Sequence, residues 1–316
     1  MGAYVLRRLI GTIPMLLGVS VVLFVLVHLA PGGPEAALLG GDISQQAAQA
    51  VRHSLGLDRP LPLQYVLWLR NAARGDFGRS YLQGAPVSRV IKDRMGATAE
   101  LAGGALALAV LVAVPLGIVA ATRANSWLDR SATGIALAGV SFPSFWLGIL
   151  LILLFASLLR WLPSSGMSSY GLEGDIADRL RHAVLPVVTL AGTQVAAFLR
   201  FTRSSLLDSL HQPFVSVARA KGLRERAVLL RHAFRNALLP LITLLGLSVR
   251  FLVGGAVLTE TVFAWPGIGR LAVDAVTARD YPLLLGLNML LALVVIGANV
   301  LTDVLYSIAD PRIAWR

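Results

Sequence analysis

Six apolar runs constrain this chain more than any other feature. They cover 9–30, 101–122, 131–159, 183–199, 237–258 and 282–302, and Arg250 is the one Lys, Arg, Asp or Glu inside them. A helix that crosses a bilayer needs about 20 mostly apolar residues. Each run is read as one spanning helix, which gives an all-α integral membrane protein with six spans. The fourth is short and carries Pro186 and Gly192; the first has Pro14 in its opening turns, where proline is tolerated. Run 9–30 is longer than the roughly 7–15 apolar residues of a signal peptide, and no A-x-A site follows it, so it is read as retained.

Composition agrees. The 316 residues are 56% hydrophobic and 14% charged, with a mean hydropathy of +0.72. A soluble domain carries about a quarter charged residues. The net charge is +11, from 28 Lys and Arg against 17 Asp and Glu. In a chain of this class such a charge belongs to basic loops facing the cytoplasm and anionic lipid, and nucleic acid is not implied. There is no cysteine, which excludes disulfides, thiolate metal sites and thiol nucleophiles.

Loop charge orients the spans. With the N-terminus inside, the inner loop 200–236 holds eight Lys and Arg, against three in the outer loop 160–182 and two in 259–281. The positive-inside rule then gives N-in and C-in. The outer loop 31–97 also holds eight cations but exceeds the length over which that rule applies. It begins with a turn-rich "APGGPEAALLGG". The segment "ISQQAAQAVRHSLGL" reads as a short amphipathic helix, Pro60 and Pro62 break it, and "QYVLWLRNAAR" reads as another. Too small for a catalytic domain, this loop is expected to pack on the outer mouth of one transmembrane domain, 1–316.

Catalytic and metal chemistry is missing from the pattern. His28, His53, His182, His211 and His232 form no metal-ligand spacing, and there is no G-x-S-x-G elbow. The two lysines, Lys92 and Lys221, do not follow glycine, so there is no Walker A loop. Energy from ATP must therefore reach this chain from another polypeptide. Two classes stay open: a transport subunit driven by a partner, or a stand-alone secondary transporter or channel. Ion coupling calls for ionisable groups deep in the bilayer. Glu100, Glu260 and Asp303 instead sit at span ends.

The loop 200–236 is patterned as two helices. Pro213 suits a first helical turn and Gly222 a C-cap. Between them Phe214, Val217 and Ala218 share a face at i, i+3, i+4, with Arg219 and Lys221 at the C-terminal end, where cations are favoured. After Gly222, Leu223, Ala227, Leu230 and Phe234 form one stripe and Arg224, Arg231 and Arg235 another. This pattern fits a basic helix lying on anionic lipid. It also fits a short helix docked in a cytoplasmic partner, with Ala218, Ala220 and Gly222 allowing close approach.

The stretch "VSVARAKGLRERAVLLRHAFRNALLP" resembles the cytoplasmic signature of ABC-importer permeases, in the form used by the dipeptide, oligopeptide and nickel branch. The general pattern opens E-A-A; here Ser216, Val217 and Ala218 stand there, with Gly222 four residues on. The resemblance extends through "LGLDRPLPLQYVLWLRNAARGDFGRSY", "PVSRVIKDRMGATAELA", "SFPSFWLGILLILLF", "ETVFAWPGIGRLAVDAVTARDYPLL" and "DVLYSIADPRI". Gly96 replaces a proline usual in that branch.

The resemblance implies a type I ABC-importer permease in a bacterial cytoplasmic membrane, forming half of a pathway for di- or oligopeptides, with glutathione-like peptides or nickel chelates as alternatives. It implies a second homologous permease, two cytoplasmic ATPase subunits that use ATP and Mg, and an extracytoplasmic binding protein. The chain itself would bind no cofactor or metal and would catalyse nothing. The resemblance gives Phe214, Val217, Ala218, Arg219, Ala220, Lys221 and Gly222 the role of an ATPase-coupling loop. Arg250 is read from its position alone. A cation near mid-span costs at least about 2.5 kcal/mol unless it faces protein or water. It is either a structural partner or a residue of the pathway.

Overall fold

The computed structural model describes residues 2–29, 49, 53, 56 and 58–309, with backbone alone at 2–10, 140, 250–253, 255 and 306–309. The expected helix in "ISQQAAQAVRHSLGL" lies largely outside the described residues, as do Arg312 and Arg316. The described residues are nearly all helical, and their only β contact is the isolated bridge Arg79–Pro86. Among the described residues five helices are long and apolar enough to cross a membrane, or six if one bent pair counts as a single span.

In chain order the helices are α1 (Gly2–Leu29), α2 (Leu61–Ala72), α3 (Val87–Thr122), α4 (Trp127–Ser141), α5 (Ser144–Leu151), α6 (Ile176–Leu210), α7 (Pro213–Ala220), α8 (Phe234–Val262), α9 (Ile268–Thr277) and α10 (Tyr281–Ala309). A π-helical segment, Ile152–Leu158, continues α5, and a second, Val228–Ala233, precedes α8. Helices α3, α6 and α10 extend beyond their apolar runs. The hydropathy window sees the lipid-facing length, while helical hydrogen bonding carries on through the charged flanks.

The third expected span, 131–159, is where the structure departs most from the sequence reading. It is not one run. The pair Trp127–Gly139 and Ser144–Leu158 is bent by 98°. The cause is local. Phe142 precedes Pro143, a placement that disfavours helical backbone, and it is extended at φ −101°, ψ 139°. Pro143 at φ −57°, ψ 136° then starts the next helix.

The chain divides into two compact units. The first, residues 1–5, 99–265 and 297–316, is built around α6 and α8, which pack together more extensively than any other pair. Close approach shows at Gly117, where a Cβ would come within 2.6 Å of the Thr202 Cβ. Ser126 caps α4, accepting from the Asp129 N–H at 3.3 Å.

The second unit is 6–98 with 266–296. Its core is Val87, Val90, Ile91, Ile268, Leu271, Ala275, Leu283 and Leu287. As expected, "QYVLWLRNAAR" is helical over all but its last two residues, within α2, which begins one residue after Pro60. Tyr65 of α2 reaches Ser20 of α1, hydroxyl to hydroxyl at 2.8 Å. Fully buried Asp280 ties the loop before α3 to the start of α10, accepting from Ser80 Oγ at 2.5 Å, Leu82 N–H at 3.0 Å and Leu283 N–H at 3.2 Å.

Candidate functional site

The basic loop folds as a short helix seated in a cradle. Helix α7 has eight residues. Pro213 opens it, since a first-turn residue needs no N–H partner. Gly222 closes it at φ +75°, a conformation that costs L side chains about 1–2 kcal/mol. The Gly222 N–H donates to the Arg219 carbonyl at 2.9 Å and the Leu223 N–H to the Ala218 carbonyl at 3.4 Å. That pair of bonds is a Schellman cap.

One face of α7 is buried. Val215 and Ala218 pack with Ala121 of α3, Leu206 of α6, Val228 and Ala233 of the π segment, and Ala237 of α8. Burying a valine side chain is worth about 1.5–3 kcal/mol, enough to fix so short a helix on its neighbours. The opposite face is open. Phe214 is 39% exposed and Val217 53%, with Ala220, Lys221 and Gly222 exposed beside them.

The expected common face of Phe214, Val217 and Ala218 is therefore split. Ala218 joins Val215 at i+3 on the inner side, and Phe214 and Val217 look outward. Sequence spacing allowed either grouping. Leu206 and Ala233 decided it by offering an apolar seat to the smaller pair.

The expected stripe Leu223, Ala227, Leu230 and Phe234 is also not the buried one. Leu223 and Leu230 are exposed, while Val228, Ala233 and Ala237 are buried. The reason is the π segment. Its i→i+5 bonding places residues five apart on one face, so 228 and 233 align where an α-helical template separates them. From Glu225 the chain is helical without a break to Val262, so the expected second helix and fifth span are one element.

Two ion pairs brace this region. Arg219 reaches across the Gly222 turn to Glu225, Nη2 to Oε1 at 2.6 Å and Nε to Oε2 at 3.2 Å. That carboxylate holds the guanidinium above its ordinary range. Both side chains are exposed. Arg203 of α6 grips Asp129 of α4 through two bonds of 2.5 and 2.8 Å, and the Asp129 side chain is only 4% exposed. Sequence reasoning passed over Asp129, Arg203 and Glu225. The first two lie 74 residues apart, with no local signal to join them. Arg250 lies on α8, and its side chain is outside the described residues. Among the described residues no group of three His, Asp or Glu is placed to hold a metal.

The capped helix α7 thus lies in the loop that carries the permease-like signature of the sequence, in a chain with helices long and apolar enough to cross a membrane. The chain belongs to the family of binding-protein-dependent transport system inner membrane components, whose model matches residues 113–315; the companion model for the N-terminal part matches 1–102. It is similar to the oligopeptide transport system permease protein AppB of Bacillus subtilis, at 39% identity over all of both chains. It is 42% identical to a putative peptide permease of Brucella suis over 98% of each chain, and 42% identical to the glutathione transport system permease protein GsiC of Escherichia coli over 99% of each. A solved structure, an inward-facing MetNI methionine ABC transporter, matches with a TM-score of 0.55 and 17% identity, covering 70% of this chain and 96% of that one. The fold is thus that of type I ABC-importer permeases.

Family membership sets aside the stand-alone transporter or channel. The chain is a multi-pass component of the bacterial inner membrane and not itself an enzyme. ATP hydrolysis resides in a separate subunit, and a binding protein serves the system.

Proposed function

We propose that this chain, acting as one permease domain, forms half of the pathway of an ATP-driven importer of di- or oligopeptides. A second, homologous permease supplies the other half. The observation that carries this reading is full-length similarity, at 39–42% identity, to permeases named for oligopeptides, peptides and glutathione. Glutathione-like peptides and nickel chelates are the alternatives.

The exposed face of α7, led by Phe214 and Val217 and flanked by Lys221, seats in an ATPase subunit. Its buried face passes that motion to α6 and α8. This direction requires the N-in, C-in orientation, with 200–236 in the cytoplasm. It is supported by the charge of that loop. By its mid-span position Arg250 is assigned to the pathway, and Arg250→Leu is expected to leave assembly intact while altering transport.

The experiment is reconstitution of the complex with its ATPases, binding protein and second permease in proteoliposomes. ATP-dependent uptake of labelled peptides that needs the binding protein is expected, with Val217→Asp reducing it at least tenfold. Uptake of nickel chelate with no peptide uptake overturns the substrate. Cysteines replacing Gln83 and Arg224 are expected to label from opposite sides; labelling of both from outside overturns the orientation.

A further inference from the structure

The loop between the first π segment and α6 is tied to the opening turns of α6 by a small polar cluster. Asp178 accepts from the Ser169 N–H at 2.6 Å and from Ser169 Oγ at 2.8 Å. One turn on, His182 places Nδ1 3.0 Å from the Ser165 carbonyl oxygen and Nε2 3.2 Å from Ser169 Oγ. Nε2 also lies 3.6 Å from the second Asp178 oxygen. The histidine is 7% exposed. On the far side of the loop, the Gly166 N–H donates to the Phe263 carbonyl at 2.8 Å.

The hydrogens in this cluster can be counted. A carbonyl only accepts, so Nδ1 carries a hydrogen. An ionised carboxylate only accepts, so the Ser169 hydroxyl hydrogen goes to Asp178. Ser169 Oγ then turns a lone pair toward Nε2, and a neutral imidazole protonated on Nδ1 also has only a lone pair there. Three side-chain contacts need three hydrogens. A neutral imidazole and a hydroxyl bring two. One further proton completes the set, either on Nε2 or on Asp178, where it frees the hydroxyl to donate to Nε2.

We propose that His182, Ser169 and Asp178 form a proton-operated latch that clamps loop residues 165–169 onto α6 when the extra proton is bound and loosens them when it is absent. Burial makes the difference felt, because a desolvated acceptor facing another acceptor has no water to replace the missing bond. The clamped form binds the proton, so it prevails at lower pH and is lost as pH rises.

The charged side chains set against the cluster are Asp178 and Arg181, both on α6. Arg181 donates to the Trp161 carbonyl at 3.1 Å. From the loop, Glu173 and Asp175 are engaged in their own turns, with the Gly171 N–H at 3.1 Å and the Ala177 N–H at 2.8 Å. From the end of α8 the neighbour is the Phe263 carbonyl, with buried Glu260 three residues before it. That the relevant proton comes from the outer face rests on the orientation proposed above.

The chain has no cysteine, so single cysteines report cleanly. Met167→Cys sits half-buried in the clamped loop, and Tyr170→Cys, fully exposed, corrects for the ionisation of the thiol itself. In proteoliposomes holding the whole complex, external pH is stepped from about 5 to about 8, around the imidazole range. An impermeant maleimide is added at each step. The ratio of labelling at position 167 to that at 170 is expected to rise severalfold. His182→Gln removes the imidazole, and Asp178→Asn, with its amide nitrogen at the Oδ1 position, donates to Ser169 Oγ and frees that hydroxyl to donate to Nε2 without the extra proton. Both are expected to give a flat ratio while the complex still elutes intact. A flat ratio without either substitution overturns the latch, and so does a rise that persists in both variants. Labelling of neither position from outside rejects the orientation, and the latch is then read with the reagent and the pH step applied to the internal face.

Discussion

The C-terminal end of α6 lies among Val215, Ala218, Val228 and Ala233, an apolar seat with Leu206 and Ala121 completing it. Near the N-terminal end, 24–28 helical residues and about 40 Å from Leu206, Asp178 and His182 hold their loop through polar contacts. The difference teaches how one rigid rod can be used in two ways. Apolar packing has no direction and no proton, so α7 can follow α6 as a body through a change of state. Polar contacts are directional and can be released singly. The end proposed to receive force is built to stay together, and the end proposed to hold the latch is built to let go.

The sharpest way to break this comparison is to overfill the apolar end. Ala218→Trp places an indole in a cluster with six other buried side chains, and overpacking costs about 1–3 kcal/mol or more. Transport is expected to fall below about a tenth of normal, with a lower melting temperature of the complex. Normal melting with lost transport would mean that Ala218 meets the ATPase instead of its own cradle.

Next in size is Arg203→Met, which leaves the buried Asp129 carboxylate without its guanidinium. Breaking such a pair costs about 2 kcal/mol or more. Asp129→Asn combined with it is expected to recover part of the loss in thermal melts of the purified complex. Full additivity of the two changes would show that the pair does not act as one brace.

Gly222→Ala is smaller. No atom lies within 4 Å of the added Cβ, so only the φ of +75° is penalised, by about 1 kcal/mol. Gly222→Asn is expected to recover most of it, since asparagine tolerates this conformation. A loss much larger than this would point to a partner surface pressed against the turn.

The smallest effect belongs to Arg219→Gln. The Arg219–Glu225 pair is exposed, with side chains 48% and 64% accessible, and such pairs contribute little. Melting is expected to be unchanged. A drop in ATPase-coupled uptake at constant melting would assign Arg219 to docking and leave the apolar seat as what holds α7.

Much of this was legible in the residues themselves. Apolar length gave the spans, because each follows from a local requirement of the bilayer. Pro213 and Gly222 gave both ends of α7, because first-turn proline and left-handed glycine are local backbone facts. The basic signature of the loop carried the family. The break in the third span was also written locally, in Phe142–Pro143, but its apolar run concealed it.

Which face of α7 is buried was not local. Phe214, Val217 and Ala218 satisfy one helical spacing and Val215 and Ala218 another, and only the seat offered by Leu206 and Ala121 chose between them. The π segment shifted the register of Val228 and Ala233 against any pattern drawn at 3.6 residues per turn. Asp129 with Arg203, and Ser80 with Asp280, are joined across 74 and 200 residues. Helix limits such as Pro213 and Gly222 depend on a residue and its near neighbours and can be read along the chain, while the ends of α3, α6 and α10, beyond their apolar runs, cannot. The tertiary structure alone decided which side chains meet, because a contact depends on the shape and charge of a surface that distant segments build together.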